Sequence, residues 1–464
     1  MKFQSTRGAS EQLGFVDAML TGLAPDGGLY FPTSWPTLPP VDELPQSYAS
    51  LAEEVMWPFV DGEISRPDFT SMVADSYSTF AAEDVVPLVD LGDDGHLLEL
   101  FWGPTLAFKD VALQLVGRLF NHVLAERNQR VTIVVATSGD TGSAAIEAAR
   151  GRDAINVVVL HPADRVSDVQ RRQMTTVDLP NVHNVAVEGT FDDCQDLVKA
   201  MFADVAFREQ VNLSAMNSIN WARVMPQAVY YVSAVQRAAV GAGGSVEPVN
   251  FSVPTGNFGN VLAGYIAKRM GLAMGTLVVA SNRNDILTRF LATGDLAMGE
   301  VHPTHSPSMD IQVSSNLERL LFDAHERSGA AVASLQSRFR ADGRVEVDPG
   351  VMARIRKEFI GCRVDDDLTV AVIRSVHEAT GVVIDPHTAV GIGAARQLRA
   401  ELDGPIVTLA TAHPAKFPDV VESAIGERPS LPGHLIDLFE RPERMTRQPN
   451  DLEALKKLVV ERTS

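Results

Sequence analysis

Cysteine is nearly absent. Of 464 residues only Cys194 and Cys362 carry a thiol, and they form no spacing motif. A disulfide framework and a cysteine-based metal site are thereby excluded, and a reducing, cytoplasmic setting is expected. No apolar run reaches the ~18 residues that a membrane span needs. The first residues, MKFQSTRGASEQLGFVDAML, lack the continuous apolar stretch of a signal peptide. Basic residues are outnumbered 40 to 59, which leaves a net charge of −19. Such a surface repels phosphodiester backbones and anionic lipid, so neither nucleic acid nor a membrane is expected as a partner. An anionic ligand would need a local basic pocket inside that negative field. The 11 histidines show no ligand spacing, and no metal is expected. Internal repeats and low-complexity tracts are also missing.

What remains is an ordinary globular composition, 45% hydrophobic and 21% charged. The first ~90 residues are proline-rich and weakly patterned; APDGGLYFP (24–32) and PTSWPTLPP (32–40) read as turns, with short helices near 48–57 and 66–82. From about residue 96 the character changes. LLELF, VTIVVAT, INVVVLHP, VNFSVPT, TLVVASN and PIVTLAT are short apolar or β-branched runs separated by helix-length segments. Several lack alternation, as strands covered on both faces do. This predicts an α/β fold with mainly parallel sheets behind a mostly helical N-terminal extension. Residues 300–365 read as an irregular, then helical insertion. AVGAGGSVEP (239–248) reads as a flexible connector, and the tail after about 430 as charged helix or loop.

Two stretches repeat one design. VVATSGDTGSAAIEAA (134–149) and VNFSVPTGNFGNVLAGYIA (249–267) each run strand, glycine-rich loop, helix. A helix N-terminus approached by small residues is an anion site at the end of a parallel strand. Each loop alone is equally readable as a tight connection. Neither is a Walker loop nor GxGxxG. A third stretch, FWGPTLAFKDVAL (101–113), threads Lys109 into apolar surroundings. Either Lys109 opens a helix and points into water, or its amine is kept neutral for chemistry.

The segments GPTLAFKD (103–110), ATSGDTGSAA (136–145), NSINWAR (217–223), PTGNFGN (254–260), SPSMDIQVSSNLERLL (306–321) and ATAHPAKF (410–417), in that order, resemble the threonine synthase family, in the branch found in many bacteria and in fungi. STRG (5–8) and APDGGLYFP match as well, so the resemblance spans nearly the whole chain. It implies a pyridoxal phosphate (PLP) enzyme of fold type II, with two α/β domains that exchange segments. On that basis residues 1–95 form the N-terminal segment, 96–130 and 216–464 the larger, PLP-binding domain, and 131–215 the smaller one.

The resemblance assigns roles. Lys109 matches the lysine that forms the Schiff base with PLP, for which a neutral amine is required. Gly256, Asn257, Phe258, Gly259 and Asn260 match the cup for the cofactor phosphate. Ser138, Asp140 and Thr141 fall in the loop that holds the substrate carboxylate and reaches the cofactor's phenolic oxygen. An ionised Asp140 there would repel a phenolate unless a proton is shared. Thr411 matches the small hydroxyl side chain that faces the pyridine nitrogen. For a substrate phosphate the candidates are Arg223 and Lys416, then Ser143, Asn220 and Ser315. His387 and His413 receive no role. The family reaction takes O-phospho-L-homoserine and water to L-threonine and phosphate, the last step of threonine biosynthesis. Alternatives are a PLP phospholyase, a serine or threonine dehydratase, or a non-catalytic relative that binds PLP or a phospho-amino acid. The branch leans toward a monomer.

Overall fold

The computed structural model describes residues 1–137, 139–238 and 247–463. Most of the expected connector, 239–246, lies outside the described residues, as does Ser138.

Two sheets organise the chain. The larger has six strands in the order Phe359–Arg363, Met274–Ser281, Val249–Pro254, Ile406–Ala410, His96–Glu99, Leu88–Asp90. All neighbours are parallel except the last pair. Every residue of Val249–Pro254 and of Ile406–Ala410 is buried. Ile406–Ala410 reads as a nearly continuous apolar run because both its faces are covered, while the polar Asn250 and Ser252 of Val249–Pro254 are buried against backbone carbonyls. The Pro386–Leu398 helix lies against these strands, and Ser252 Oγ donates to its Gly391 carbonyl at 2.6 Å. A Cβ on Gly391 would come within 2.8 Å of Thr408, so glycine permits this close approach.

The smaller sheet has five parallel strands in the order Thr446–Pro449, Val182–Glu188, Ile155–Pro162, Val131–Ala136, Leu213–Ser214. Its edge corrects the expected division of the chain. The 216–464 stretch does not keep to the larger sheet, because its last strand and the Leu452–Thr463 helix return to the smaller one. Leu455 and Val459 of that helix are buried with Val185, Leu197 and Met201, which explains the return: they complete a core the smaller sheet cannot close alone.

The N-terminal segment is a helical cover. Tyr48–Val60 begins at Ser47, whose hydroxyl accepts the Ser50 N–H, and Arg66–Tyr77 begins at Ser65 in the same way. The first packs against the Gln227–Ala238 helix and the second against the Lys109–Glu126 helix. Trp221 is sealed among the rings of Phe3, Phe31 and Phe59, which ties the segment to the residues just before Arg223. The irregular stretch expected at 300–365 holds three helices and ends in the edge strand Phe359–Arg363, so it belongs to the larger sheet.

Candidate active site

The carboxyl ends of the two sheets converge. Asp140 opens the Asp140–Ala149 helix just after the Val131–Ala136 strand, and Lys416 follows the Ile406–Ala410 strand. Lys109 lies between them as the first residue of the Lys109–Glu126 helix. Its Nζ is 3.2 Å from Asp140 Oδ2, so it does not point into water. Two turns hold it in place. The Phe108 N–H donates to the Thr411 carbonyl at 2.9 Å, and the His413 N–H to the Leu106 carbonyl at 3.0 Å. Leu106 sits at φ 62°, a left-handed conformation costly for a branched residue. It is held by burial against Val169, Leu435 and Leu438.

One contact sets the distance between the Lys109 and Asp140 helices. A Cβ on Gly117 would come within 2.0 Å of the Ala148 carbonyl oxygen, so the backbones touch there only because residue 117 is glycine.

Asp140 is surrounded by donors. Its Oδ1 receives Gln170 Nε2 at 2.8 Å and Lys416 Nζ at 2.8 Å, while Lys109 faces Oδ2. Burial alone would raise its pKa, but the two ammonium groups outweigh burial and hold the carboxyl well below the usual carboxylate range. Lys109 is also shifted down, which for an amine disfavours the charged form. Burial, then the charges of Lys416 and Arg223, pull its amine below the ordinary lysine value against the opposing effect of Asp140.

The loop after Val131–Ala136 is built around Thr137, whose Oγ accepts the N–H groups of Gly139 at 2.9 Å and Gly142 at 3.0 Å. Gly139 adopts φ 147°, and a Cβ there would strike Gln170. Thr141 is half-buried in the first turn of the helix.

The second loop is a cradle. Phe258 takes φ 62° and turns the chain into the Gly259–Arg269 helix, whose first N–H groups have no partner within the helix. Gly256 is half-buried, and a Cβ there would lie 2.9 Å from the Ser308 carbonyl oxygen. The segment 306–316 grips this loop: Ser314 Oγ donates to the Gly256 carbonyl at 2.8 Å, and the backbone N–H and Nδ2 of Asn316 both donate to the Asn257 carbonyl. Asn260 turns its side-chain oxygen to the hydroxyls of Tyr230 and Tyr231, and its Nδ2 is a buried donor without a partner. This glycine-lined helix start with orphan donors fits a phosphate monoester.

Arg223 is buried and faces no carboxylate within ion-pair distance among the described residues. One terminal nitrogen donates to the Met216 carbonyl at 3.2 Å, Nε has no partner, and burial pulls the guanidinium down to about 10. An uncompensated buried cation is costly, and an anion arriving beside it would offset that cost.

Other expected residues are placed differently. Lys416 is completely buried, and its ammonium is taken up by Asp140 and by the Thr105 carbonyl at 2.7 Å, so it does not offer itself to a substrate phosphate. Asn220 caps the Trp221–Val224 turn and donates to the Met19 and Ala215 carbonyls. Ser143 donates back to the Asp140 carbonyl at 3.1 Å within its own helix. Ser315 is half-buried beside the cradle, and Thr411 is buried next to the Lys109 turn. Sequence reasoning missed Gln170, Ser314 and Asn316. The last two lie inside a quoted motif, but only the fold shows that they hold the cradle's carbonyls.

Three family models match the chain: "Threonine synthase N terminus" over residues 2–77, "Pyridoxal-phosphate dependent enzyme" over 98–338, and "Threonine synthase, C-terminal" over 388–459. A threonine synthase of Pseudomonas aeruginosa is 52% identical, covering 99% of this chain and 98% of its own. The PLP-bound threonine synthase structure from Brucella melitensis superposes with a TM-score of 0.95 at 50% identity, covering 100% of this chain and 99% of that one. The yeast threonine synthase structure does so at 0.93 and 39% identity, covering 99% and 98%. The chain belongs to the threonine synthase family of PLP-dependent enzymes.

Proposed function

We propose that this chain converts O-phospho-L-homoserine and water to L-threonine and phosphate, by loss of phosphate from Cγ and addition of water at Cβ. The observation that supports it is a desolvated lysine that feels the charge of the buried Arg223, in a fold that also holds the glycine-lined Gly256–Asn260 helix start. PLP held there by Lys109 and the cradle supplies an electron sink for the charge left when a Cα proton is removed.

The chain's own residues do the rest. Backbone N–H groups of Gly256, Asn257, Phe258, Gly259 and Asn260 hold the cofactor phosphate at the helix start. Thr411 offers a hydroxyl, not a carboxylate, to the pyridine nitrogen, and so leaves that nitrogen without a permanent counter-charge. Asp140 and Thr141 line the loop that would take the substrate carboxylate, to which the resemblance also assigns Ser138, and Arg223 with Ser315 would take the substrate phosphate. The Nζ of Lys109 would be the base that takes the proton from the substrate Cα. Lys416 and Lys109 offset the charge of Asp140, which would let an ionised carboxylate lie near the cofactor's phenolic oxygen. We further take the enzyme to be cytoplasmic, on its two free buried cysteines, and to act as a monomer, which sedimentation would check. No helix among the described residues is long and apolar enough to cross a membrane.

The test is direct. Protein loaded with PLP should show a near-visible band that borohydride fixes on Lys109, and O-phosphohomoserine should yield threonine and phosphate in equal amounts. Lys109→Ala should abolish both. A 2-oxo acid in place of threonine would identify a dehydratase or phospholyase instead.

A further inference from the structure

Lys416 has only an indirect part in that reading, on which the following rests. Its ammonium is completely buried, and a buried ammonium is kept only where it is paired. Two contacts hold it. One is Asp140 Oδ1 at 2.8 Å, and the other is the carbonyl of Thr105, at the start of the turn that carries Lys109. Asp140 is therefore shared. One oxygen serves Lys416 and Gln170, and the other faces Lys109 at a longer 3.2 Å.

An amine adds to an aldehyde carbon through its lone pair, with release of one water. A lysine locked as an ammonium by a private carboxylate has no lone pair to offer. We propose that Lys416 is a positioning residue that competes with Lys109 for Asp140 and thereby keeps the Lys109 amine available to the cofactor aldehyde.

The surrounding charges agree. Lys109 faces Asp140 from the Asp140–Ala149 helix, Lys416 from the turn after Ile406–Ala410, and Arg223 from Trp221–Val224. Two of these three are cations, and both disfavour the charged amine. The Phe108 ring, 5.7 Å from Nζ, is a weaker influence in the other direction. The Lys416 charge also acts on Asp110 and His413. Burial drives His413 down to about 4, so it is neutral, while its Nδ1 accepts the Ala415 N–H at 3.1 Å. Among the described residues, Asp140 is thus the one carboxylate in direct contact with both lysines.

The experiment compares the full-length protein with Lys416→Met and Lys416→Arg. Two readouts are taken: the pH at which the visible chromophore of the PLP-loaded enzyme switches, and the pH dependence of Lys109 acetylation in the cofactor-free chain, followed by peptide mass spectrometry. Lys416→Met should shift both upward by about one pH unit or more. Lys416→Arg should restore them. A merely structural lysine would lower thermal stability and leave both titrations unmoved, and that result overturns the proposal. If Lys416→Met does not fold, Asp140→Asn carries the test: Lys109, left between two cations, should acetylate at lower pH, and an unchanged or higher pH overturns the idea. Titrations that shift as expected in a protein that makes no threonine would support the role of Lys416 while refuting the substrate assignment.

Discussion

Nδ1 of His387 lies 2.7 Å from Oδ2 of Asp385, the carboxylate that caps the Pro386–Leu398 helix. That contact fixes the tautomer: Nδ1 donates, and Nε2 is left to accept the backbone N–H of Ser308 at 3.2 Å. Ser308 in turn covers Gly256 of the cradle. His387→Leu removes the acceptor while Asp385 keeps its contacts to Thr388. Losing one such bond is worth about 1 kcal/mol. PLP should dissociate several-fold faster, measured by loss of the visible band on dilution, with kcat of the loaded enzyme changing less.

Gly117 meets Ala148 with no room for a methyl group. Gly117→Ala should destabilise the protein by roughly 1–3 kcal/mol through overpacking. It should also part Lys109 from Asp140. Denaturant unfolding and borohydride trapping, run on the same preparation, would show both losses.

Asp110 is completely buried, and burial pushes its carboxyl up to about 7 despite the N–H and hydroxyl of Thr105 at 2.8 Å each. The sign follows from linkage. The folded state holds a proton that the unfolded chain releases near 4, so this group's contribution is full below pH 4. It is lost as pH rises toward 7, by at most about 1.4 kcal/mol per pH unit. Asp110→Asn keeps an acceptor for the N–H and replaces the acceptor for the hydroxyl with an N–H donor. The difference in unfolding free energy between the variant and the parent should grow in the variant's favour from pH 4 to 7. A flat difference would mean that Asp110 is ionised throughout.

Among the described residues no carboxylate pairs with the buried Arg223, so removing it should help the fold and harm the chemistry. Arg223→Met should raise the melting temperature. It should lower kcat/KM for O-phosphohomoserine by about 100-fold or more, since losing a buried charge partner costs roughly 2–5 kcal/mol. Inorganic phosphate should raise the melting temperature of the parent enzyme and not that of the variant.

Local signals carried much of this. Strands covered on both faces read as apolar runs, the two glycine-rich turns marked helix starts, and Lys109 stood out because an ammonium is foreign to FWGPTLAFKDVAL. What failed to show depends on distant partners. Residue type could not say whether the Lys416 ammonium meets a ligand or Asp140, about 280 positions away in the chain. Gln170 looked like any polar helix residue. The strands VHNVAVE and TRQP escaped notice because polar residues break their pattern, and only pairing with a neighbour makes them strands.

The smaller sheet is finished late. As the chain leaves the ribosome at ~5–20 residues per second, its first four strands are out roughly ten seconds or more before Thr446–Pro449 and the Leu452–Thr463 helix follow. Throughout that interval the edge of Val182–Glu188 is an open backbone template, and the apolar seat of Leu455 and Val459 is bare. The nascent chain thus offers a chaperone, or another nascent copy, a sticky strand edge that its own last residues eventually occupy.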